Sequence, residues 1–181
     1  IKPAVFNPIL MARAERLSSG EEIIEKIGKC ALEPKFDGFR LQVHVKKIKD
    51  QRSKIKTTDQ SLKTDSGQAR MTKFEIKLYT RGLEDVTFMY PDVVEGIEKQ
   101  LDVDEAIIEG EALAYNPKTD AFLPFQITTQ RKRKYGIPEM AEKYPLRLMT
   151  FELLYLNGKP TLYEPYSERR EKLSKIIKKG S

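Results

Sequence analysis

Glu33-Pro34-Lys35-Phe36-Asp37-Gly38-Phe39-Arg40-Leu41-Gln42-Val43-His44-Val45 is the stretch on which the reading of this chain turns. Its second half alternates. Phe39, Leu41, Val43 and Val45 fall on one side, and Arg40, Gln42 and His44 on the other, the period of a β-strand with one apolar face. Its first half sets a lysine between two acids, then an Asp-Gly turn, then an arginine where the strand emerges. An amine with an ordinary pKa of ~10.4 is a poor nucleophile at neutral pH. Partial burial, a metal or a neighbouring cation lowers such a value and frees the lone pair. Arg40, on the polar side of the strand, is placed to hold a ribose or a phosphate beside Lys35. The same residues also describe an ordinary surface hairpin, and composition alone favours that plainer reading.

Outward from this stretch, Phe74 to Thr80 is the expected return strand, with Phe74, Ile76 and Leu78 inward. Between the two strands, residues 46–73 hold nine Lys or Arg against three Asp and few apolar residues. They are expected to form a long, mobile, basic hairpin extension, either touching a phosphate backbone or simply solvated. Upstream, Ser18-Ser19-Gly20-Glu21-Glu22 reads as a helix start, with Ile23, Ile24 and Ile27 as a buried stripe. Ala31-Leu32-Glu33 is expected as a short strand. Downstream, a helix is expected after Pro91, with Val93, Val94, Ile97 and Leu101 as its apolar stripe. A strand is expected over Ala106 to Tyr115, a turn over Asn116 to Asp120, and a short basic helix over Gln126 to Lys134. A strongly apolar strand, Leu146 to Leu156, ends at the Asn157-Gly158 turn. A last helix is expected over Ser167 to Lys178, capped by Ser167.

The chain has 181 residues, 39% of them hydrophobic and 33% charged, and a net charge of +6. That composition suits one globular domain and favours a polyanionic partner. No apolar run approaches the ~20 residues needed to span a bilayer. Ile1 to Ala4 carries no charged-then-apolar secretory pattern. The single cysteine, Cys30, cannot form an internal disulfide; it fits a reducing compartment and is expected as an inert core thiol.

Lys35-Phe36-Asp37-Gly38-Phe39-Arg40 resembles the lysine–x–Asp–Gly–x–Arg motif of the covalent nucleotidyltransferases: DNA ligases, RNA ligases and mRNA capping enzymes. Further segments resemble the same superfamily in the same order. Tyr79-Thr80-Arg81-Gly82-Leu83-Glu84-Asp85-Val86-Thr87 is similar to its second motif. Ile107-Ile108-Glu109-Gly110-Glu111-Ala112 is similar to its third. Glu109 and Glu111 share a face with Ile107 and Leu113, and carboxylates on an otherwise apolar face are costly without a cation or a hydrogen-bonding partner. Leu123-Pro124-Phe125-Gln126 and Arg131-Lys132-Arg133-Lys134 resemble a segment of archaeal and eukaryotic replicative DNA ligases. Leu148 to Gly158 resembles the motif whose aromatic residue, here Phe151, stacks on adenine. Asn7-Pro8-Ile9-Leu10-Met11-Ala12 is similar to the way the chain enters that domain, and Pro165 to Arg170 to a helix that closes this part of it.

The resemblance implies the adenylation domain of an ATP-dependent DNA ligase. The fold class it implies is α+β, antiparallel sheets flanked by helices in an incomplete ATP-grasp-like arrangement, over residues 1–181. It implies Lys35 as the nucleophile that takes AMP from ATP, and Glu33 on the adenine amino group. It implies Arg40 and Arg81 on ribose or the 5′-phosphate of the nick, Glu111 on ribose or Mg²⁺, and Phe151 under the base. The implied partners are ATP, Mg²⁺ and nicked double-stranded DNA, with a sliding clamp reached through other domains, no membrane, and a monomeric chain. The implied location is wherever the DNA lies: the cytoplasm of a prokaryote or the nucleus of a eukaryote. The 46–73 stretch is longer than the family's usual hairpin. No residues from Lys159 to Ser181 match the family's later metal- and triphosphate-binding motifs, so weak or no self-adenylation is expected of these 181 residues alone. The rivals are an RNA ligase of the same superfamily and a non-catalytic module that binds nucleic acid through 46–73 and Arg131 to Lys134.

Overall fold

The structure, a computed structural model, describes residues 2–11, 13–48 and 74–178. Its centre is a single antiparallel sheet of five strands. Strand β1 (Phe39–Lys47) pairs on one side with β2 (Phe74–Tyr79), placing Val43 opposite Leu78. On its other side it pairs with β3 (Glu105–Ala114), placing Arg40 opposite Glu111 and Gln42 opposite Glu109. Strand β4 (Leu146–Leu156) follows β3, and the two-residue β5 (Lys159–Pro160) closes the edge. The turn into β5 uses Asn157 and Gly158, both at positive φ, as a tight hairpin of right-twisted strands demands.

Period two sorts the strand residues onto two faces. Phe39, Leu41, Val43 and Val45 of β1, Phe74, Ile76 and Leu78 of β2, and Ala106, Ile108, Ala112 and Ala114 of β3 are buried together. They are covered by helix α2 (Pro91–Gln100), through Val93 and Ile97, and by Leu173 and Ile176 of α5 (Tyr166–Ile176). The other face carries Arg40, Gln42, His44, Glu109 and Glu111, and a small apolar cluster of Ile107, Leu154 and Tyr155 against Val5, Ile9 and Leu162. The fold is α+β, as expected.

Four of the expected strands and the helix after Pro91 lie where the sequence puts them, within a residue or two. Several other expectations are corrected. Helix α1 (Gly20–Ile27) forms, with Ser19 accepting from the Glu22 N–H, but its stripe is not buried: Ile24 is 64% exposed. The helix is held by its own ends, with Ser18 on the Glu22 carboxylate and the Gly28 N–H on the Ile24 carbonyl. An apolar stripe in sequence states which face is greasy, not what covers it. Residues 28–37 form neither strand nor helix, Leu32 is 92% exposed, and Cys30 is exposed rather than in the core. The expected basic helix is only α3 (Phe125–Thr128) and one 3-10 turn to Arg131, before α4 (Ile137–Lys143). Helix α5 starts at Tyr166, after Pro165, with no side-chain cap from Ser167. Of the expected 46–73 extension, Lys46 and Lys47 end β1, and 49–73 lie outside the described residues.

Arg131 is the largest of these corrections. It is 1% exposed, so it is not a surface cation for a phosphate backbone. Its Nη1 and Nη2 donate to both oxygens of Asp92 at 2.9 and 2.8 Å, and Nη1 also donates to the Tyr144 carbonyl at 2.7 Å. Asp92 in turn accepts from the Leu146 N–H at 2.8 Å. A planar fork on a planar carboxylate satisfies a buried charge, and here it pins α2 to the start of β4. Among the described residues no helix is long and apolar enough to cross a membrane.

Candidate active site

Four of the six residues singled out from the sequence meet in one cleft. Lys35, Arg40, Arg81 and Glu111 line a hollow of about 1310 Å³ beside the start of β1. Seven of its lining side chains are Lys or Arg and three are acids, so the cleft is built for an anion. Met11, Arg13 and Arg16, from the segment before α1, close it on one side, and Lys132 and Lys134 stand on another. A second hollow, about 380 Å³ between α2 and β4, holds none of the six.

Gly38 sets the geometry of the loop that carries Lys35. A Cβ there would lie 2.2 Å from the Ala112 carbonyl oxygen, so only glycine lets the turn after Lys35 press against β3. Lys35 is thereby left exposed at the mouth, while Arg40, two residues past the turn, faces Glu109 and Glu111. Arg81 sits on the turn after β2. Thr80 ties that turn, its hydroxyl accepting from the N–H groups of Gly82 and Glu84 at 3.2 and 3.3 Å, and Leu83 takes a positive φ to close it.

Phe151 is aimed by a bulge. Across β3 and β4, Gly110 pairs with Thr150 but Glu109 pairs with Glu152, so Phe151 is one residue too many for the ladder. Bulges re-aim side chains, and this one puts the ring under the guanidinium of Arg40, 4.5 Å from its centre. Arg40 also donates from Nη1 to Glu109 Oε2 at 2.9 Å, and its Nε lies 3.7 Å from Glu111 Oε2. That Nε is buried with no hydrogen-bond acceptor among the described residues. An unpaired buried N–H is costly, and a ligand oxygen would complete it.

Glu33 stands apart from the cleft lining. Its carboxylate accepts from the Tyr166 hydroxyl, whose pKa is pushed up to about 12 by burial and by that same carboxylate. Arg170 Nε lies 4.0 Å away, so Glu33 faces the start of α5. That helix is fixed in turn by Arg169, which donates to both oxygens of Glu152 at 2.7 and 2.8 Å.

The two acids of β3 are treated differently. Glu109 is buried and paired with Arg40 and Gln42. Burial raises the Glu111 carboxyl above the ordinary carboxylate range, and Arg40 and the Gly38 N–H pull it part of the way back. Among the described residues no group of three or more His, Cys, Asp or Glu is assembled for a metal. Magnesium usually takes one or two protein carboxylates and completes its shell with phosphate oxygens and water, so the single carboxylate of Glu111 fits that ion.

Two buried polar residues beside the cleft were not singled out from the sequence, Gln42 and His44. Both are fully buried on the site's side of β1. Their signal was present: polar side chains recurring at period two in line with Arg40.

Residues 62–181 match the family described as ATP dependent DNA ligase domain. The chain belongs to that family. Relatives of this ligase domain include a protein named "Probable DNA ligase" from Dictyoglomus thermophilum, 47% identical over 180 residues, covering 99% of this chain and 26% of that protein. A protein named "DNA ligase 2" from Thermofilum pendens is 40% identical over 181 residues, again 99% of this chain and 26% of the relative. The ligase domain therefore spans about a quarter of the length of the curated relatives it matches. Among solved structures, a mycobacterial DNA ligase D complexed with ATP and MES superposes with a TM-score of 0.48 and 21% identity, over 80% of this chain and 36% of that one.

Proposed function

We propose that this domain takes AMP from ATP onto Lys35 and serves an ATP-dependent DNA ligase. The observation that carries the reading is the cationic cleft in which Lys35, Arg40, Arg81 and Glu111 converge, with a buried Arg40 N–H that lacks an acceptor.

The Lys35 Nζ loses a proton and attacks the α-phosphorus of ATP. A nitrogen–phosphorus bond forms, the α–β anhydride bond breaks, and pyrophosphate leaves. A 5′-phosphate oxygen at the nick then attacks the AMP phosphorus and frees Lys35. The 3′-hydroxyl attacks the activated 5′-phosphorus, the phosphodiester forms, and AMP leaves. Each step is a phosphoryl-type transfer, favoured by positioning and by cations around the equatorial oxygens. Arg40 holds a ribose or phosphate oxygen through its Nε, and Arg81 holds the nick 5′-phosphate. Phe151 carries adenine, and Glu33 takes its amino group from the α5 side. Mg²⁺ held by Glu111 and the phosphates would neutralise charge on the triphosphate. The partner is nicked duplex DNA, and a sliding clamp would engage other parts of the full protein.

The binding-module rival counted on 46–73 and Arg131 to Lys134, and the burial of Arg131 takes one cation from it. The RNA-ligase rival is separated by the strand that is sealed. The test is intact mass after incubation with ATP and Mg²⁺, on this chain and on one extended to the length of its relatives. The extended chain should gain one AMP, and Lys35→Ala should abolish the adduct with no loss of thermal stability, since Lys35 is exposed. A folded, extended chain that never gains AMP overturns the proposal.

A further inference from the structure

An arginine that must meet one oxygen of a ligand needs its guanidinium fixed before the ligand arrives. Arg40 has a flexible stem, and its head is held by the Phe151 ring, by Met11 Sδ and Glu111 Oε2 at the longer distances of 3.8 and 3.7 Å, and by its one short hydrogen bond, to Glu109 Oε2. Glu109 can hold it in one place only if its own carboxylate is fixed. The second oxygen, Oε1, accepts from Gln42 Nε2 at 3.0 Å.

Gln42 is 0% exposed, and every polar position on its amide is used. Nε2 also donates to the Ile9 carbonyl at 3.0 Å, while Oε1 accepts from the Ile9 N–H at 2.8 Å. His44 Nε2 lies 2.9 Å from the same Oε1. His44 Nδ1 accepts from the Phe6 N–H at 2.8 Å, which leaves the ring hydrogen on Nε2, donated to Gln42. The Ile9 N–H and the His44 N–H both demand an oxygen. They dictate which way the amide is turned, and so which end meets Glu109. Turned over, it would set an oxygen against the Glu109 carboxylate and an NH₂ against two donors. An aliphatic side chain would fill this buried place beside Ile9 without any such demand.

We propose that Gln42 is a positioning residue of the nucleotide site, locking Glu109 and through it the Arg40 guanidinium, with its amide oriented by the backbone of Ile9 and the ring of His44. The inference rests on the reading of the cleft as a nucleotide site. Its test is a cycle of Gln42→Leu, Arg40→Ala and the double variant in the extended chain, following the rate of AMP addition against ATP concentration. Gln42→Leu should lower the maximal rate on the order of ten- to a hundredfold. The double variant should be no slower than Arg40→Ala, because both losses pass through one guanidinium. Losses that multiply overturn the proposal. Gln42→Met repeats the cycle with an unbranched chain should the leucine variant not fold. A crystal structure of the folded Gln42 variant without nucleotide gives a reading independent of chemistry: Arg40 should leave Phe151. Arg40 unmoved there overturns the proposal whatever the rates. If the wild type gains no AMP while Arg40 leaves Phe151 in the variant, the nucleotide-transfer reading falls and the positioning role stands.

Discussion

The two faces of the sheet are made by alternate residues of the same strands, and they are stabilised by different physics. On one face, Leu41, Val43, Leu78, Ile108 and Leu153 pack under α2 and α5 and exclude water without needing direction. On the other, Arg40, Gln42, His44, Glu109 and Glu111 are held by bonds that each need a partner at one distance and angle. The first face tolerates any side chain of the right volume. The second tolerates few, because each loss leaves a buried polar group alone. A site that holds a ligand by directed polar contacts belongs on the second kind of surface, and the first supplies the rigidity behind it.

Mutations on the two faces should therefore fail differently. The largest effect is expected from Leu153→Ala, at a fully buried position of the apolar face. It should cost about 2–5 kcal/mol in denaturant unfolding, with Lys35 chemistry surviving in whatever fraction stays folded. A loss below 1 kcal/mol would show that this face is not the stabilising one.

Acid should break the polar face first. Burial lowers the His44 pKa from 6.5 to about 4. Between those values the folded state binds fewer protons than the unfolded one. The contribution is therefore complete above pH 6.5 and is lost as pH falls towards 4, amounting to about 3 kcal/mol across the window. Protonation would also set a new N–H against the Phe6 N–H. Unfolding free energies measured from pH 7 to 4 should fall less steeply in His44→Gln than in the wild type. Parallel curves would remove His44 from the account.

A smaller, more selective effect is expected from Phe151→Leu. The half-buried ring contributes stacking, so the ATP concentration for half-maximal AMP addition should rise about tenfold, with little change in stability. Equal loss of stability and affinity would make Phe151 a core residue. The smallest effect is expected from Ile24→Ala on α1, which should stay within about 0.5 kcal/mol because the side chain is exposed. A larger loss would mean that this face is covered.

The apolar face was legible in the sequence because period two and a run of Val, Ile, Leu and Phe leave one solution for β1, β2 and β3. Lys35, Arg40, Arg81 and Glu111 were legible as a group because three motifs follow one another in a family's order, and the fold brings them to one cleft. Other features were not, each for its own reason. Arg131 looked like surface charge because its partner, Asp92, is far away in sequence. The α1 stripe looked buried because amphipathicity carries no information about the opposing surface. Gln42 and His44 looked incidental because part of what fixes them is the backbone of Phe6 and Ile9, and backbone groups have no letter in a sequence.

Strand β4 carries a second extra residue besides Phe151: Ile108 pairs with Leu153 and Ile107 with Tyr155, leaving Leu154 over. One surplus residue turns a strand inside out, and a second turns it back. Thr150 and Leu156 thus keep the facing an unbroken ladder would give them, while the stretch between is shifted by one. Losing either surplus residue alone would send every side chain on one side of the gap to the wrong layer. Losing both would restore a regular sheet that folds well and has no ring beneath Arg40. The spacing between Met149 and Tyr155 is thus a hidden constraint on this sheet. The count of residues there decides whether Arg40 has a ring beneath it.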